Sequence, residues 1–288
     1  TNTIYAYLDN YSNTIDATAN GLAYSDYALY QYAIGSISAD LRITNGVNVT
    51  GGSSVLDNFN LATATWTGTG DTLKGIEHIY NGSLYADNIY GSDGVNNWLV
   101  GALGADYING GTGTDTVYLD PYRSQMLVAS LLSVSQNSTL GIVMSDAAKG
   151  DIYINVENLY SAGATDQLYG NAGSNVLSSN GIMEGFAGAD NLTSLGSGGT
   201  ATASYANAGD AYLAGQGVTT GASVGVTANL TSPGGIAFAA GFSGLPGGAS
   251  ATSGLGIIVS NTGDAAGDVY TNNIYKLTGS AFNDILIG

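Results

Sequence analysis

Single aliphatic residues recur along the chain at Ile89, Leu99, Ile108 and Val117, each between neighbours that would face the other way in an extended segment. The pattern returns at Leu168, Leu177 and Leu192, and again at Leu286. It predicts strands of about three residues with one inward side chain each, too little to be stable alone. Stacked turns would line these aliphatics into a ladder, each burial worth about 1.5 to 3 kcal/mol. Between them lie glycine-rich connections, which supply positive φ and close backbone approach.

Written in register, the phrases are "GSLYADNIY" (82–90), "GSDGVNNWLV" (91–100, one residue longer), "GALGADYIN" (101–109) and "GGTGTDTVY" (110–118). A second block holds "SAGATDQLY" (161–169), "GNAGSNVLS" (170–178), a shortened "SNGIME" (179–184) and "GFAGADNLT" (185–193). A third begins with "GSAFNDILI" (279–287). Repetition at a short fixed period is the signature of a solenoid. Similar lead-ins precede the blocks: "GDTLKGIEHIY" (70–80), "GDIYINVENLY" (150–160) and "GDVYTNNIYKLTG" (267–279). The expected fold is therefore all-β, a parallel β-roll or β-helix solenoid with irregular β-rich spacers. Three tandem units are expected: 1–118 with its block at 82–118, 119–193 with its block at 161–193, and 194–288 with an incomplete block at 279–288. "SISADLRI" (36–43) and "SVGVTANL" (223–230) alternate as strands, and "SQMLVASLLSVS" (124–135) suits a short helix.

The sixth position carries Asp87, Asn97, Asp106, Asp115, Asp166, Asn175, Asp190 and Asp284. Stacking would bring these oxygens to the spacing of neighbouring strands, about 4.8 Å. Like charges at that distance repel unless a cation lies between them. Calcium suits such a site, since it takes six to eight oxygen ligands and glycine turns expose carbonyls. Zinc would want His or Cys, and the chain has one His and no Cys. The competing reading is a metal-free solenoid whose Asp and Asn hydrogen-bond their own turns.

At these residues the sequence resembles the RTX (repeats-in-toxin) family, whose phrase is G-G-x-G-x-D-x-U-x with U aliphatic; "GGTGTDTVY" matches it at every fixed position. The resemblance implies a parallel β-roll in which calcium lies between one turn and the turn two further on. Carried over, it pairs Asp87 with Asp106, Asn97 with Asp115, and Asn175 with Asp190. Asp166 would face the shortened turn, and Asp284 would need a turn beyond Gly288. Most turns lack the second glycine.

The composition agrees: 44 Gly, 20 Tyr and 3 Pro in 288 residues suit short strands and tight turns. A net charge of −17 makes nucleic acid and anionic membrane poor partners. No apolar run is long enough to span a bilayer, so no transmembrane segment is expected. The chain starts at Thr1 without Met, which reads as a processed product or a fragment.

No catalytic constellation stands out. "GASVG" (221–225) fits a nucleophile-elbow pattern that so much Gly and Ser produces by chance, and His78 is the one available base, expected at a surface or turn of its lead-in strand. The Thr-rich "TATWTGTGDT" (63–72) resembles the flat arrays of ice-binding solenoids over one short run. Tyr80, Tyr90, Tyr107, Tyr118, Tyr160 and Tyr169 recur at strand ends, as packing ladders or a carbohydrate platform. The expected protein is a non-enzymatic, extracellular structural one: a calcium-stiffened solenoid of a bacterial surface layer, filament or large adhesin. Its C-terminal "GSAFNDILIG" and N-terminal "TNTIYAYL" would continue one register, which suggests head-to-tail or lattice self-association. The alternatives are a calcium-binding module of a secreted enzyme, and an ice- or polysaccharide-binding module with a cell-surface glycan as partner.

Overall fold

A computed structural model describes residues 76–119, 125–196 and 201–207 continuously, with 27–31, 36–41, 268–271, 274–280 and 284–287 and isolated strands elsewhere. The chain is all-β and forms parallel sheets of the β-roll type. Contacts divide it into two compact units, Thr1–Val134 with Ile142–Tyr160, and Ser135–Gly141 with Ser161–Gly288.

In the first unit successive phrases go to opposite sheets, so each strand stacks on the strand two phrases away. Asn88–Tyr90 pairs in parallel with Tyr107–Asn109, setting Ile89 against Ile108, and Trp98–Leu99 pairs with Thr116–Tyr118, setting Leu99 against Val117. All four aliphatics are fully buried, and of their flanking residues only Val100 is buried as well. The extra residue of the 91–100 phrase is absorbed in its turn, where Gly94 takes φ 75°, so the register survives. Ser38–Asp40, from the first alternating stretch, pairs with Asn88–Tyr90 and adds a further turn, with Ala39 facing inward.

The lead-ins are themselves turns of the roll. Ile152–Ile154 pairs with Tyr107–Asn109, and Asn158–Ser161 pairs with Thr116–Tyr118. Between 119 and 150 the chain leaves the repeat and returns in register. This excursion holds a correction: Val128–Ser130 is a strand, and the helix starts only at Val134, running to Leu140. Leu127, Val128 and Ala129 are all buried, a continuous apolar run that suits a strand covered on both faces better than one stripe of a helix. The Ser130 hydroxyl then accepts from the Leu132 N–H and breaks the extended run.

The second unit repeats the scheme. Val176–Ser179 pairs with Asn191–Thr193, which pairs with Val269–Thr271. Gln167–Tyr169 pairs with Ile182–Glu184, followed by Thr202–Ser204 and Lys276–Thr278. Leu168, Leu177, Met183, Leu192 and Ala203 supply its core. Thr227–Asn229, inside the second alternating stretch, pairs with Ile285–Ile287. "GASVG", most of the Thr-rich run and the outermost residues of both chain ends lie outside the described residues.

His78 departs from its expected surface position: it lies in the strand His78–Asn81 at 7 % exposure. The Tyr27 ring lies over it at 4.7 Å, and its Nδ1 accepts a hydrogen bond from the Trp98 backbone N–H.

Candidate metal sites in the stacked turns

Each sixth-position residue immediately precedes its strand, so strand pairing stacks these side chains as surely as it stacks the aliphatics. Asp87, Asn97, Asp106, Asp115, Asp166, Asn175 and Asp190 are all at most 2 % exposed. One carboxylate oxygen reaches back along the stack to the backbone N–H of the sixth residue in the neighbouring turn. Asp106 Oδ1 accepts from the Asp87 N–H at 2.8 Å, Asp115 Oδ1 from the Asn97 N–H at 2.7 Å, and Asp190 Oδ1 from the Asn175 N–H at 2.8 Å. The three pairs implied by the resemblance are therefore adjacent in the structure.

The columns also include residues the repeat pattern does not mark. Asp151 Oδ1 accepts from the Asp106 N–H, Glu157 Oε2 from the Asp115 N–H, and Asp268 Oδ1 from the Asp190 N–H. All three belong to lead-ins. The signal was present: "DIYI", "ENLY" and "DVYT" repeat the acid, any, apolar, any order of "DYIN" and "DTVY". At the other end of one column, Asp87 Oδ1 accepts from the Ile37 N–H.

The second oxygen is where a cation would be held. Asp106 Oδ2, Asp115 Oδ2 and Asn97 Oδ1 are sealed from solvent with no hydrogen-bond donor, a costly state for a polar atom. The first glycine of each phrase makes room beside them. A Cβ built on Gly91 would lie 2.3 Å from both Asn97 Oδ1 and Gly110 O, and one on Gly82 would lie 2.3 Å from Gly101 O and 2.6 Å from Asp87 Oδ2. A side-chain oxygen and a carbonyl oxygen of the stacked turn thus converge where any other residue would carry a methyl group. Among the described residues no three acidic, His or Cys side chains converge on one point. A cation would therefore rely on turn carbonyls as well as carboxylates, the donor set that suits calcium.

Burial without a counter-charge disturbs the acids. It pushes Asp87 up to about 7, against hydrogen bonds from Ser83 and Ile37 that pull the other way, and Asp115 up to about 6. Asp106 and Asp151, stacked on one another, are both raised, first by burial; repulsion from Asp151 and Asp87 adds to the effect at Asp106. These are groups that need either a proton or a cation.

The remaining two positions differ. Asp166 is satisfied by its own turn, its Oδ2 accepting from the Ser161 hydroxyl and the Gly163 N–H. The residue stacked on it is Gly181, which carries no side-chain oxygen; a Cβ there would lie 2.0 Å from Asp166 O. Asp284 likewise closes its own turn, accepting from the Ser280 N–H and hydroxyl at 2.7 Å each.

Residues 95–120 and 159–181 match the family model of the RTX calcium-binding nonapeptide repeat, found in four copies. The chain carries RTX repeats, and these repeats bind calcium. Comparison with curated proteins finds no match. The turns at 82–90 and 185–193 lie outside the matched segments, yet they stack with the same register and the same carboxylate-to-amide hydrogen bond.

The family's second glycine has a structural counterpart that explains its loss. Gly111 takes φ 92°, and the same left-handed conformation is held by Ala102 at 78° and Phe186 at 67° in two of the turns that lack it. The RTX turn keeps its shape there at the expense of backbone strain.

Proposed function

We propose that this protein is an extracellular structural element of bacterial surface type: a β-roll locked by calcium at Asp87 with Asp106, Asn97 with Asp115, and Asn175 with Asp190. The supporting observation is the pair of sealed, undonated carboxylate oxygens at Asp106 and Asp115, the latter beside the Asn155 carbonyl at a point that only a glycine, Gly110, admits. Calcium would supply the missing positive charge, and the columns would then tie each turn to the next. A surface layer, filament or large adhesin uses such a module to become rigid once it meets external calcium. A structural role is favoured over catalysis by His78, the single imidazole, whose Nδ1 is taken by a backbone N–H.

Circular dichroism of the full chain with chelator, then with added calcium, tests the lock. Loss and recovery of β structure is expected, and an unchanged spectrum would reject it. Electron microscopy of the calcium-loaded protein tests assembly. Fibres or sheets are expected for the structural role, whereas dispersed particles would favour a calcium-binding module serving a secreted enzyme.

A further inference from the structure

One sheet of the first unit carries an aromatic ring on each of five successive strands. Tyr27, Tyr80, Trp98, Tyr118 and Tyr160 stand on Tyr27–Leu29, His78–Asn81, Trp98–Leu99, Thr116–Tyr118 and Asn158–Ser161. The core behind them is already filled by the fully buried Ala28, Ile79, Leu99, Val117 and Leu159. The rings point the other way and line a cleft of about 290 Å³. Tyr80 is 39 % exposed and the other four are half-buried. The rings are tilted rather than closed face to face: Trp98 lies 5.4 Å from Tyr118 at 46°, and Tyr118 lies 4.8 Å from Tyr160 at 35°.

We propose that this cleft binds a neutral glycan chain along the stack of strands. A pyranose ring presents C–H-rich faces that pack on aromatic rings, and tilted rings leave faces available to it. Strands follow one another at about 4.8 Å, close to the rise of one sugar in an extended β-linked chain, so a glycan laid along the stack runs over the rings, three of which, Trp98, Tyr118 and Tyr160, gather within 5.9 Å of one another. The phenolic hydroxyls offer donors and acceptors to sugar hydroxyls. None of the described lining residues is basic, and the chain carries a net charge of −17, so anionic glycans are repelled. The site is separate from the acid columns and does not rest on the calcium reading.

The calcium-loaded full chain, with Trp66→Phe so that indole fluorescence reports Trp98 alone, is titrated with cellohexaose, chitohexaose and hexagalacturonate, followed by fluorescence and calorimetry. At least one neutral hexamer is expected to bind and shift the Trp98 emission, with hexagalacturonate inert. Tyr80→Ala, at the exposed ring, is expected to weaken binding about tenfold with an unchanged circular dichroism spectrum and calcium midpoint. Trp98→Ala should weaken it at least as much, and Trp98→Phe should restore part of it. The proposal is overturned if neither neutral hexamer binds at millimolar concentration, if hexagalacturonate binds better, or if Tyr80→Ala binds as tightly as the parent. Concentration-dependent dimerisation abolished by Tyr80→Ala would assign the rings to a second copy of the chain and overturn it too.

Discussion

The turns at 101–118 and those at 161–193 are built from the same phrase, yet they treat their acids differently. In the first, both columns continue without a gap, Asp87 to Asp106 to Asp151 and Asn97 to Asp115 to Glu157, each step closed by a carboxylate-to-amide hydrogen bond. In the second, one column runs Asn175 to Asp190 to Asp268, while the other passes from Asp166 to Gly181 and on to the strand Thr202–Ser204. That column loses its side-chain oxygens at Gly181 and Ala201, while the ladder beside it continues through Met183 and Ala203, both fully buried. A repeat can therefore keep the fold and lose the metal position, because the aliphatic ladder and the acid column are separate devices on one strand.

The largest expected effect comes from removing an acid on each side of that difference. Asp106→Ala and Asp115→Ala should each raise the calcium concentration needed for half-maximal β structure by at least about tenfold. Asp166→Ala, whose carboxylate serves Ser161 and Gly163 of its own turn, should move that midpoint by less than about threefold while lowering stability by about 1 to 2 kcal/mol. Calcium titrations followed by circular dichroism separate the two. Equal shifts for Asp106→Ala and Asp166→Ala would erase the distinction between the blocks.

The fourth-position glycines offer a second contrast. Gly104 sits at φ 142°, and an added Cβ would lie 2.5 Å from Tyr85 O, whereas an added Cβ on Gly173 meets nothing closer than Asn171 Oδ1 at 3.2 Å. Gly104→Ala should cost at least about 2 kcal/mol, through strain and a backbone collision. Gly173→Ala should stay within about 0.5 kcal/mol. Chemical denaturation at saturating calcium would measure both.

Protons and calcium should compete for the columns. Asp87 and Asp115 have their values raised to about 7 and 6 by burial, above the ordinary carboxylate value of 3.8. Folding without metal therefore takes up protons. The contribution of these groups is complete below about pH 4 and is lost as pH rises through 6 and 7. Chelated protein should hold more β structure at pH 5 than at pH 8. The calcium midpoint should fall over the same interval, because binding releases those protons. A chelated protein that is equally folded at both values would show that the carboxylates are not uncompensated.

Much of the first block was legible because its signals are local. The nine-residue period fixes which aliphatic faces inward, and the acid two residues before it is stacked by the same strand pairing. Asp151, Glu157 and Asp268 escaped because the nine-residue period in the sequence is interrupted before their lead-ins, and a period cannot be followed across such an interruption. Their acid, any, apolar, any order was visible, but their partners, Asp106, Asp115 and Asp190, are fixed by strand pairing rather than by sequence distance. His78 was misplaced because its cover, Tyr27, lies 51 positions earlier in the chain. The helix expected at 124–135 became a strand because tertiary burial on both faces outweighed its helix-like composition.

The smallest effect tests the strain stored in the two turns where a residue other than glycine holds the left-handed second position. Ala102 and Phe186 occupy the left-handed conformation that Gly111 adopts freely. Phe186 is held there by burial at 1 % exposure and by its stack on Tyr169 at 6.3 Å, so replacing it would lose packing along with strain. Ala102 contributes one methyl group, worth about 0.8 kcal/mol of burial, against a left-handed cost of about 1 to 2 kcal/mol. Ala102→Gly should therefore be neutral to stabilising by up to about 1 kcal/mol, and Phe186→Gly should destabilise by several times that. Denaturation midpoints at saturating calcium decide it. A destabilised Ala102→Gly would mean that the alanine methyl matters more to the turn than the conformation it is forced to hold.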